Sequence, residues 1–263
     1  MKKLVSLLLA VAMTAMVLAG CGAAATDWEY IDKKGTLVIG ITYYEPMNYF
    51  GEDGNLTGFD TEFAQAVCAE LGVEPVFQEI DWNQKEVELK SKSIDCIWNG
   101  LTVSEERKQN MAFSSSYVEN KQVVVIQKAN ADKYTGLDTL VNLKVCAEKA
   151  SAGESAIQAD SNLSTNEYVA VGAQRDALLE VKSGTCDACV IDYVLAKAVI
   201  SEDTDYSDLM IVEGVELAQE EYAIGFRLED VETVAKVNEV IAKLLSDGTL
   251  AALGEKYGVN VIE

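Results

Sequence analysis

The sequence predicts an α/β fold made of two similar lobes, and two observations support this prediction. Short apolar runs typical of strands alternate along the chain with amphipathic helical patterns, which is typical of α/β proteins with largely parallel sheets. In addition, residues 90–100, KSKSIDCIWNG, nearly recur 92 residues later as residues 182–192, KSGTCDACVID. Each copy ends a helical pattern, turns, and enters an apolar run after an aspartate, Asp95 or Asp187. We therefore expect one helix-to-strand unit in each lobe.

The first half of the chain contains the elements of one lobe. Residues 60–71 are predicted to be helical because their apolar side chains recur at helical spacing, and Gly72 ends the pattern. Another helix is expected to begin at Ser104, which can cap it, while Glu105 and Glu106 suit its positive end. The predicted elements are, in order, strand 36–41, helix 60–71, strand 74–80, helix 84–92, strand 94–98, the helix from Ser104 and strand 121–128.

The second half repeats this alternation, which predicts a second lobe. Its predicted elements are strand 143–147, a helix start at 155–159, strand 168–171, helix 173–182, strand 186–191, helix 192–200, strands 209–212 and 221–226, and helices 231–245 and 249–257. In open α/β sheets, ligands bind outside the carboxyl ends of the strands. Asn99, Gly100 and Asp192 stand at such ends. We therefore expect two half-sites that face each other across a cleft.

The N-terminal residues 1–20 predict a secretory signal. Lys2 and Lys3 precede an apolar run that is too short for a membrane span and ends in small residues. Cys21 follows directly, as in bacterial lipoprotein signals, so residues 21–28 are predicted to be a lipidated cysteine and a flexible tether. The alternative is a plain secretory signal with an incidental cysteine. Acyl chains such as palmitate, at about 0.8 kcal/mol per buried CH2, would anchor the chain outside the cell membrane, on its periplasmic face where there are two membranes.

Charge and composition narrow the classes of function. The formal net charge is −22, and loss of the two signal lysines brings the mature chain to about −24. This acidity argues against a nucleic-acid partner, because such binding depends on neutralising phosphates. The chain contains no histidine, the commonest general base and metal ligand. We therefore expect a protein that is not an enzyme and that uses no cofactor and no metal.

The chain has six cysteines, which in a secreted protein would suggest disulfides. If Cys21 is lipidated, five remain, and an odd number cannot all pair. We interpret those in helical and strand patterns as small core hydrophobes. Cys186 and Cys189 have redox spacing, but their segment enters a strand and not a helix, where a helix dipole would lower the thiol pKa.

Five short motifs lie in order along the chain. Residues 54–60, GNLTGFD, match a G-x-x-x-G-F-D turn, and residues 81–83, DWN, match D-[WF]-[DS]. Residues 94–107, IDCIWNGLTVSEER, are similar to the signature I-D-x-x-x-x-G-x-T-x-T-x-E-R. Residues 149–153, KASAG, correspond to a G-[ST]-x-[GS] loop, and residues 186–192, CDACVID, to D-A-x-x-x-D. Together they resemble the extracytoplasmic amino-acid-binding proteins of ABC importers, in the polar-amino-acid class.

The resemblance runs from about residue 37 to residue 258, and it implies a two-lobed, type II periplasmic-binding-protein-like clamp. Each lobe would hold a mostly parallel sheet flanked by helices, and two crossover strands would lie near residues 119–122 and 220–222. The implied units are lobe 1, residues 29–119 and 222–263, and lobe 2, residues 120–221. The implied function is to bind a free L-amino acid between the lobes, close, and deliver it to an ABC permease and its ATPase.

The resemblance also implies which residues hold the ligand carboxylate. Arg107 offers a planar fork that can form two parallel hydrogen bonds to a carboxylate, which a lysine cannot reproduce. Thr102 and the backbone N–H groups of Ser151 and Ala152, near a helix start, would add donors. The alternative for Arg107 is a surface salt bridge with a neighbouring glutamate.

Further residues would hold the ammonium and the side chain of the ligand. Asp192 would pair with the ammonium, and the carbonyls of Asn99 or Gly100 would complete its three hydrogen bonds. The alternative for Asp192 is a helix N-cap, a role compatible with ammonium binding. Tyr44 and Trp82 match aromatic residues that enclose the ligand side chain, and their alternative is core packing. Trp98 is assigned to packing.

Three positions depart from the family pattern and bear on the choice of ligand. Ile41 stands where many relatives carry an aspartate or a polar residue, which argues against a cationic ligand side chain. Glu45 is an acid nearby, and Asn99 replaces a small residue and would bring an amide into the pocket. The sequence therefore favours a neutral polar or moderately apolar L-amino acid.

Two other functions stay open at this point. A sensory receptor module that works with a separate partner chain is one alternative. A clamp-fold enzyme, similar to a dehydratase, is a less favoured one, because fold does not fix function. The mature protein is expected to act as a monomer.

Overall fold

The computed structural model describes residues 26–215 and 217–262. The predicted signal 1–20 and the lipidation site Cys21 lie outside the described residues. Within the described part, no helix is both long enough and apolar enough to span a bilayer.

Helices and strands alternate as the sequence predicts. The α-helices of the described residues are α1 (Asp27–Lys34), α2 (Phe59–Leu71), α3 (Lys85–Lys90), α4 (Ala152–Ala159), α5 (Gln174–Ser183), α6 (Tyr193–Val199), α7 (Val231–Ser246) and α8 (Thr249–Tyr257). The strands are β1 (Thr36–Ile41), β2 (Tyr49–Phe50), β3 (Leu56–Thr57), β4 (Glu74–Glu79), β5 (Cys96–Ile97), β6 (Ala112–Phe113), β7 (Val118–Gln127), β8 (Lys144–Glu148), β9 (Glu167–Val171), β10 (Ala188–Asp192), β11 (Leu209–Ile211), β12 (Gln219–Tyr222) and β13 (Gly225–Phe226).

The strands form one main sheet in each lobe. The lobe 1 sheet has the order β4-β1-β5-β13-β6, in which β4, β1 and β5 are parallel and β13 is antiparallel to both of its neighbours. The lobe 2 sheet has the order β11-β7-β10-β8-β9, in which β10, β8 and β9 are parallel and β7 is antiparallel to β10 and β11. Each sheet thus has a parallel half beside an antiparallel half, and the two-lobed α/β prediction is confirmed.

Two antiparallel strands connect the lobes. β12 pairs with the first part of β7, with Tyr222 opposite Val118 and Gln219 opposite Lys121. Beyond this pairing, β7 continues into the lobe 2 sheet, while the chain after β12 enters β13 in the lobe 1 sheet. These are the two predicted crossover strands, and they form the connection between the lobes at the base of the cleft.

Two predicted elements differ from the structure. The helix expected from Ser104 is only a 3-10 turn, Arg107–Gln109, because the chain must enter β6 at residue 112. The hydroxyl of Ser104 accepts the N–H of Arg107 at 3.2 Å and stabilises this turn. The strand expected over 221–226 is divided into β12 and β13, because the chain leaves the crossover there and joins the lobe 1 sheet.

The five cysteines of the described residues are free thiols in the protein interior. Cys146 and Cys189 lie opposite each other on β8 and β10, within the core of lobe 2. Burial raises the pKa of Cys68 and of Cys186 to about 12, so neither thiol is poised as a nucleophile. This agrees with their interpretation as small core side chains.

Candidate functional site

The sequence-predicted site residues come together in one cavity between the two lobes. It lies at the carboxyl ends of β5 in lobe 1 and of β8 and β10 in lobe 2, where a ligand is expected in open α/β sheets. All nine predicted ligand contacts line it: Tyr44, Trp82, Asn99, Gly100, Thr102, Arg107, Ser151, Ala152 and Asp192. Their roles toward a ligand stay predictions.

Arg107 supplies a fixed cation from lobe 1. One amino group of its guanidinium donates to the carbonyl of Thr102 at 2.8 Å, and the other donates to the carbonyl of Ala150 at 3.2 Å. The second bond crosses from lobe 1 to lobe 2. The guanidinium thus faces the cleft, and its bonds are to carbonyls, not to the neighbouring glutamates proposed as an alternative.

Asp192 supplies a fixed carboxylate from lobe 2. Its Oδ1 accepts from the side-chain amides of Asn120 at 2.7 Å and of Gln122 at 2.6 Å, and its Oδ2 accepts from the amide of Gln174. The predicted capping role of its side chain is wrong, because these amides occupy the carboxylate. Instead, Asn120 Oδ1 accepts the N–H of Val194 in the first turn of α6 at 3.2 Å.

A second carboxylate lies behind the first. Glu220 on β12 accepts from Asn120 at 3.0 Å and from Gln122, so two crossover-strand amides join it to Asp192. Burial raises the pKa of Asp192, and burial with the nearby charge of Asp192 raises the pKa of Glu220 to about 7. A positive charge placed beside these two acids would lower the cost of ionising them.

Two aromatic side chains from lobe 1 line the cavity. The hydroxyl of Tyr44 lies 2.6 Å from that of Tyr222 on the crossover strand, which fixes its ring. Trp82 begins the 3-10 turn after β4, and the ammonium of Lys85 lies 4.6 Å from its ring centroid. Both aromatic side chains are buried, so they also serve core packing, their alternative role.

Two predicted contacts are committed to protein partners. The amide of Asn99 donates to Thr42 Oγ1 at 2.7 Å and accepts the N–H of Thr42 at 2.9 Å, so it positions the loop after β1. Asn48 also donates to it, at 2.8 Å. The backbone N–H of Ser151 donates to the carbonyl of Glu148 at 3.2 Å, within its own turn. The side-chain amide of Asn99 is therefore less available to a ligand than the sequence suggests, whereas these bonds do not involve its backbone carbonyl, the predicted ammonium contact.

Several residues that line the cavity were not identified from the sequence: Thr42, Tyr43, Glu148, Ala173, Gln174, Arg175 and Leu195. Two of them follow the rule that identified Asp192, since Glu148 ends β8 and Gln174 begins the helix after β9. Applied to every strand end, the same rule would have found both. Arg175 and Tyr43 carry no comparable signal, because their exposed positions are typical of surface residues.

The lobes are closed around this cavity. Lys85 and Arg107 of lobe 1 both donate to the carbonyl of Ala150 in lobe 2, at 3.0 and 3.2 Å. At the rim, Arg175 of lobe 2 lies 3.7 Å from Glu45 of lobe 1. The enclosed cavity measures about 20 Å³, which is room for roughly one water molecule. An amino acid would therefore have to enter after the lobes separate.

Within residues 26–215 and 217–262, no three or more acidic, cysteine or histidine side chains form a group with metal-binding geometry. The polar groups of the cleft are instead those that recognise a small charged organic molecule, with an anion-binding guanidinium on one lobe and a cation-binding carboxylate on the other.

Two α/β lobes, two crossover strands and a closed polar cleft between them define the class of clamp-like binding proteins. The chain belongs to the bacterial extracellular solute-binding proteins, family 3, whose model matches residues 37–260.

Individual relatives agree with this assignment. The chain is 29% identical to the L-cystine-binding protein TcyJ of Escherichia coli (strain K12) over 233 residues, 88% of this chain and 86% of TcyJ. It is similar to the crystal structure of Tv2483 bound to L-arginine, with a TM-score of 0.84 and 29% identity over 90% of this chain and 96% of that one. It is also similar to the ancestral amino acid-binding protein AncCDT-1, a precursor of cyclohexadienyl dehydratase, with a TM-score of 0.78 and 29% identity over 87% and 98% of the two chains. TcyJ and AncCDT-1 are binding proteins by name, and the structure of Tv2483 was solved with L-arginine bound.

Proposed function

We propose that this protein is a receptor that binds one free L-amino acid between its lobes and delivers it to an ABC importer. The observation that carries the proposal is the placement of a fixed guanidinium, Arg107, and a fixed carboxylate, Asp192, on opposite lobes of one cleft. A zwitterionic amino acid presents the two complementary charges. A relative named for cystine and a similar structure with L-arginine bound support the same ligand class.

Closure follows from the same contacts. Arg107 and Asp192 are bonded to protein groups in the closed cleft, so a ligand would exchange these bonds for bonds to its own carboxylate and ammonium. A ligand that contacts both lobes only when they are shut stabilises the closed state by that difference. Recognition of the closed form by a permease with its ATPase completes the proposed transport cycle.

The proposal includes the lobe boundaries and the location of the protein. Lobe 1 comprises residues 29–119 and 222–263 and lobe 2 residues 120–221, which is supported by the passage of the chain between sheets at β7 and β12. We also propose lipidation at Cys21, which would hold a monomeric receptor on the outer face of the cell membrane. Intact-mass analysis of the membrane fraction tests this, because the wild-type protein should carry the added mass of its acyl chains. Cys21→Ala should instead be found unmodified in the medium or periplasm.

The first test is thermal unfolding of the purified protein in the presence of each of the twenty amino acids. Ligand at 100 times its dissociation constant should add about 2.7 kcal/mol of stability, or about 5–11 °C in the midpoint at this size. Arg107→Ala should abolish the shift, while Lys108→Ala, an exposed neighbour paired with Glu105, should keep it. No shift with any amino acid, on folded and ligand-free protein, would contradict the proposal.

The same thermal unfolding measurements, with further experiments, also distinguish the other ligand and function hypotheses. The neutral polar or moderately apolar ligand predicted from Ile41 is one of its outcomes. The similarity to AncCDT-1, a precursor of a dehydratase, makes an enzymatic function one alternative to test. We propose that the protein binds its ligand without converting it. We expect mass spectrometry to show that each amino acid is unchanged after prolonged incubation with the protein. A prephenate-like acid, incubated in the same way, should also be unchanged. Loss of uptake on deletion of the gene distinguishes a transport receptor from a sensory module.

A further inference from the structure

Glu148 is a buried acid in the wall of the cleft that the proposed ligand contacts leave unused. It is the last residue of β8, at the edge of lobe 2 where ligands are expected, and its exposed fraction is 5%. It lines the same cavity as Arg107 and Asp192.

The carboxylate of Glu148 differs from that of Asp192 in its partners. Asp192 accepts hydrogen bonds from three side-chain amides, whereas within the described residues no group donates a hydrogen bond to the Glu148 carboxylate. Buried carboxylates are normally paired or hydrogen-bonded, because an unpaired one is costly. Glu148 is therefore the acid of this cleft with unused acceptors.

The nearby cations of the protein are directed elsewhere. The ammonium of Lys85 donates to the carbonyls of Trp82 at 3.1 Å and Ala150 at 3.0 Å. The guanidinium of Arg107 donates to the carbonyls of Thr102 and Ala150. Both cations lower the electrostatic cost of a negative Glu148, but neither forms a hydrogen bond with it.

We propose that Glu148 selects an amino acid whose side chain ends in a cationic nitrogen, and that it accepts hydrogen bonds from that nitrogen. The inference rests on the proposed amino-acid-binding function and names the ligand class of the same site. A guanidinium or a distal ammonium would supply the donors that Glu148 lacks. Arg107 and Asp192 would hold the α-carboxylate and the α-ammonium at the other end of the ligand.

The titration of Glu148 agrees with this geometry. Burial, together with the charge of Asp192, raises the pKa of Glu148 to about 8. This is the behaviour of a buried carboxyl without hydrogen-bond donors. The inference replaces the sequence-based expectation of a neutral ligand, which considered Ile41 at the end of β1 and not the acid at the end of β8.

The test compares arginine with citrulline, which has the same length but a neutral urea group in place of the guanidinium. Calorimetric titration of the wild-type protein should show arginine binding tighter by about tenfold or more, the range of a charge-assisted contact. Glu148→Gln should reduce the ratio to within about threefold, because the amide removes the charge and keeps the shape. Lysine against norleucine gives the same comparison for an ammonium.

A matched control removes the same charge elsewhere in lobe 2. Glu167→Gln changes an exposed acid, with 72% of its side chain accessible, that lies 3.8 Å from Lys144. It should leave the arginine-to-citrulline ratio unchanged, which separates a local contact from the general negative field of the protein. Glu148→Leu is a second variant in case the Gln variant does not fold, and the unfolding midpoint of each unliganded variant checks folding.

The outcomes distinguish the two proposals. A wild-type protein that binds neutral amino acids and not arginine or lysine overturns the role of Glu148 while the amino-acid receptor stands. A preference for arginine that survives in both Glu148 variants also overturns it. If the folded wild-type protein binds no amino acid of either kind, both proposals fail.

Discussion

The two copies of the internal repeat, residues 90–100 in lobe 1 and 182–192 in lobe 2, share their hydrogen bonds atom by atom. In lobe 1, Ser91 Oγ donates to the carbonyl of Glu88 at 3.0 Å and lies 2.9 Å from Ser93 Oγ. In lobe 2, Ser183 Oγ donates to the carbonyl of Glu180 at 3.0 Å and lies 2.9 Å from Thr185 Oγ1. The same turn therefore ends α3 and α5, and it returns the chain to the sheet in both lobes.

The aspartate after this turn also acts alike in both copies. Asp95 donates its N–H to the carbonyl of Val38 and accepts the N–H of Val38, both at 2.7 Å. Asp187 forms the same pair of bonds with Lys144, at 2.8 and 2.9 Å. Each aspartate thus sets the register of its strand against a neighbouring parallel strand, β1 in lobe 1 and β8 in lobe 2.

The copies differ in what surrounds this aspartate. Asp95 is buried, 2.5 Å from the ammonium of Lys34 in α1 and 3.8 Å from the guanidinium of Arg227 after β13. Asp187 is only half-buried. In lobe 1 the aspartate thus joins the N-terminal helix α1 to the segment that follows β13.

The copies also differ at their final residue. Gly100 has a φ of +55°, and a Cβ there would lie 2.7 Å from the ring of Tyr44 and 3.0 Å from that of Tyr222. The equivalent residue in lobe 2 is Asp192. One copy therefore ends in a bare backbone that admits aromatic rings, and the other ends in a carboxylate. The two lobes therefore share the same turn and strand, but they contribute different groups to the cleft.

Gly100→Ala should have the largest effect on stability. It forces an L-residue into the left-handed region and into contact with two fixed rings, which together should cost about 3–5 kcal/mol of unfolding free energy. Urea unfolding measures this loss. Gly184→Ala, in the turn of the other copy, has a φ of +76°, but a Cβ there would lie 3.7 Å from the side-chain amide of Gln127, an ordinary contact, so it should cost only about 1 kcal/mol. Equal losses would contradict the role of the Gly100 contact.

Asp192→Asn should have the next largest effect, on ligand affinity. A neutral amide leaves the α-ammonium without its counter-charge, so affinity should fall at least about 100-fold, or ~3 kcal/mol. Calorimetric titration with the amino acid identified by the thermal panel measures the change. Asp187→Asn, near the opposite end of the same strand, is the matched control and should stay within about threefold of wild type. A small loss in Asp192→Asn would place the ammonium elsewhere.

Asp95→Asn should destabilise the protein by about 2 kcal/mol, because it removes the negative charge that pairs with Lys34 and Arg227 in or near the core. Arg227 retains Asp230 at 2.9 Å, which limits the loss. Asp187→Asn should cost less than about 1 kcal/mol, because its amide oxygen can still accept the backbone N–H. Urea unfolding of both variants compares the two positions. Similar losses would mean that the bond to the neighbouring strand, and not the ion pairs, dominates at Asp95.

The fold and the members of the cleft could be predicted from the sequence where the information is local. Alternating patterns and the repeat indicated the two lobes, and strand ends indicated Asn99, Gly100 and Asp192. What could not be predicted is how distant groups share hydrogen bonds. The predicted cap by Asp192 failed because Asn120 and Gln122, far away in sequence on a crossover strand, occupy its carboxylate.

The missed residue Glu148 has a different cause. Its position at the end of β8 was open to the same rule as Asp192, but the family loop that drew attention begins at the next residue, Lys149. The length of the helix after Ser104 was also predicted wrongly. The residues that start the helix are local signals, but it ends early because the chain enters β6, which pairs with a strand distant in sequence. Local signals therefore predicted where elements begin better than where they end.

The smallest expected effect concerns Asp60, which accepts the N–H of Gly100 at 2.7 Å and so holds the lobe 1 copy in place. Its Oδ1 is buried without a hydrogen-bond partner in the described residues, and burial raises its pKa from 3.8 to about 7. The folded state therefore holds this proton more tightly than the unfolded state. The resulting stabilisation is complete below about pH 4 and is lost as the pH rises through about 7.

Asp60→Asn should remove this dependence, because an amide keeps an acceptor for Gly100 and does not titrate in this range. The unfolding free energy of wild type relative to the variant should fall by on the order of 1 kcal/mol or more between pH 4.5 and pH 7.5. Glu220, whose pKa is also raised to about 7, shifts both proteins alike and cancels in the difference. A constant difference would mean that Asp60 is ionised throughout this pH range and that its carboxylate is stabilised in the folded protein by the groups around it.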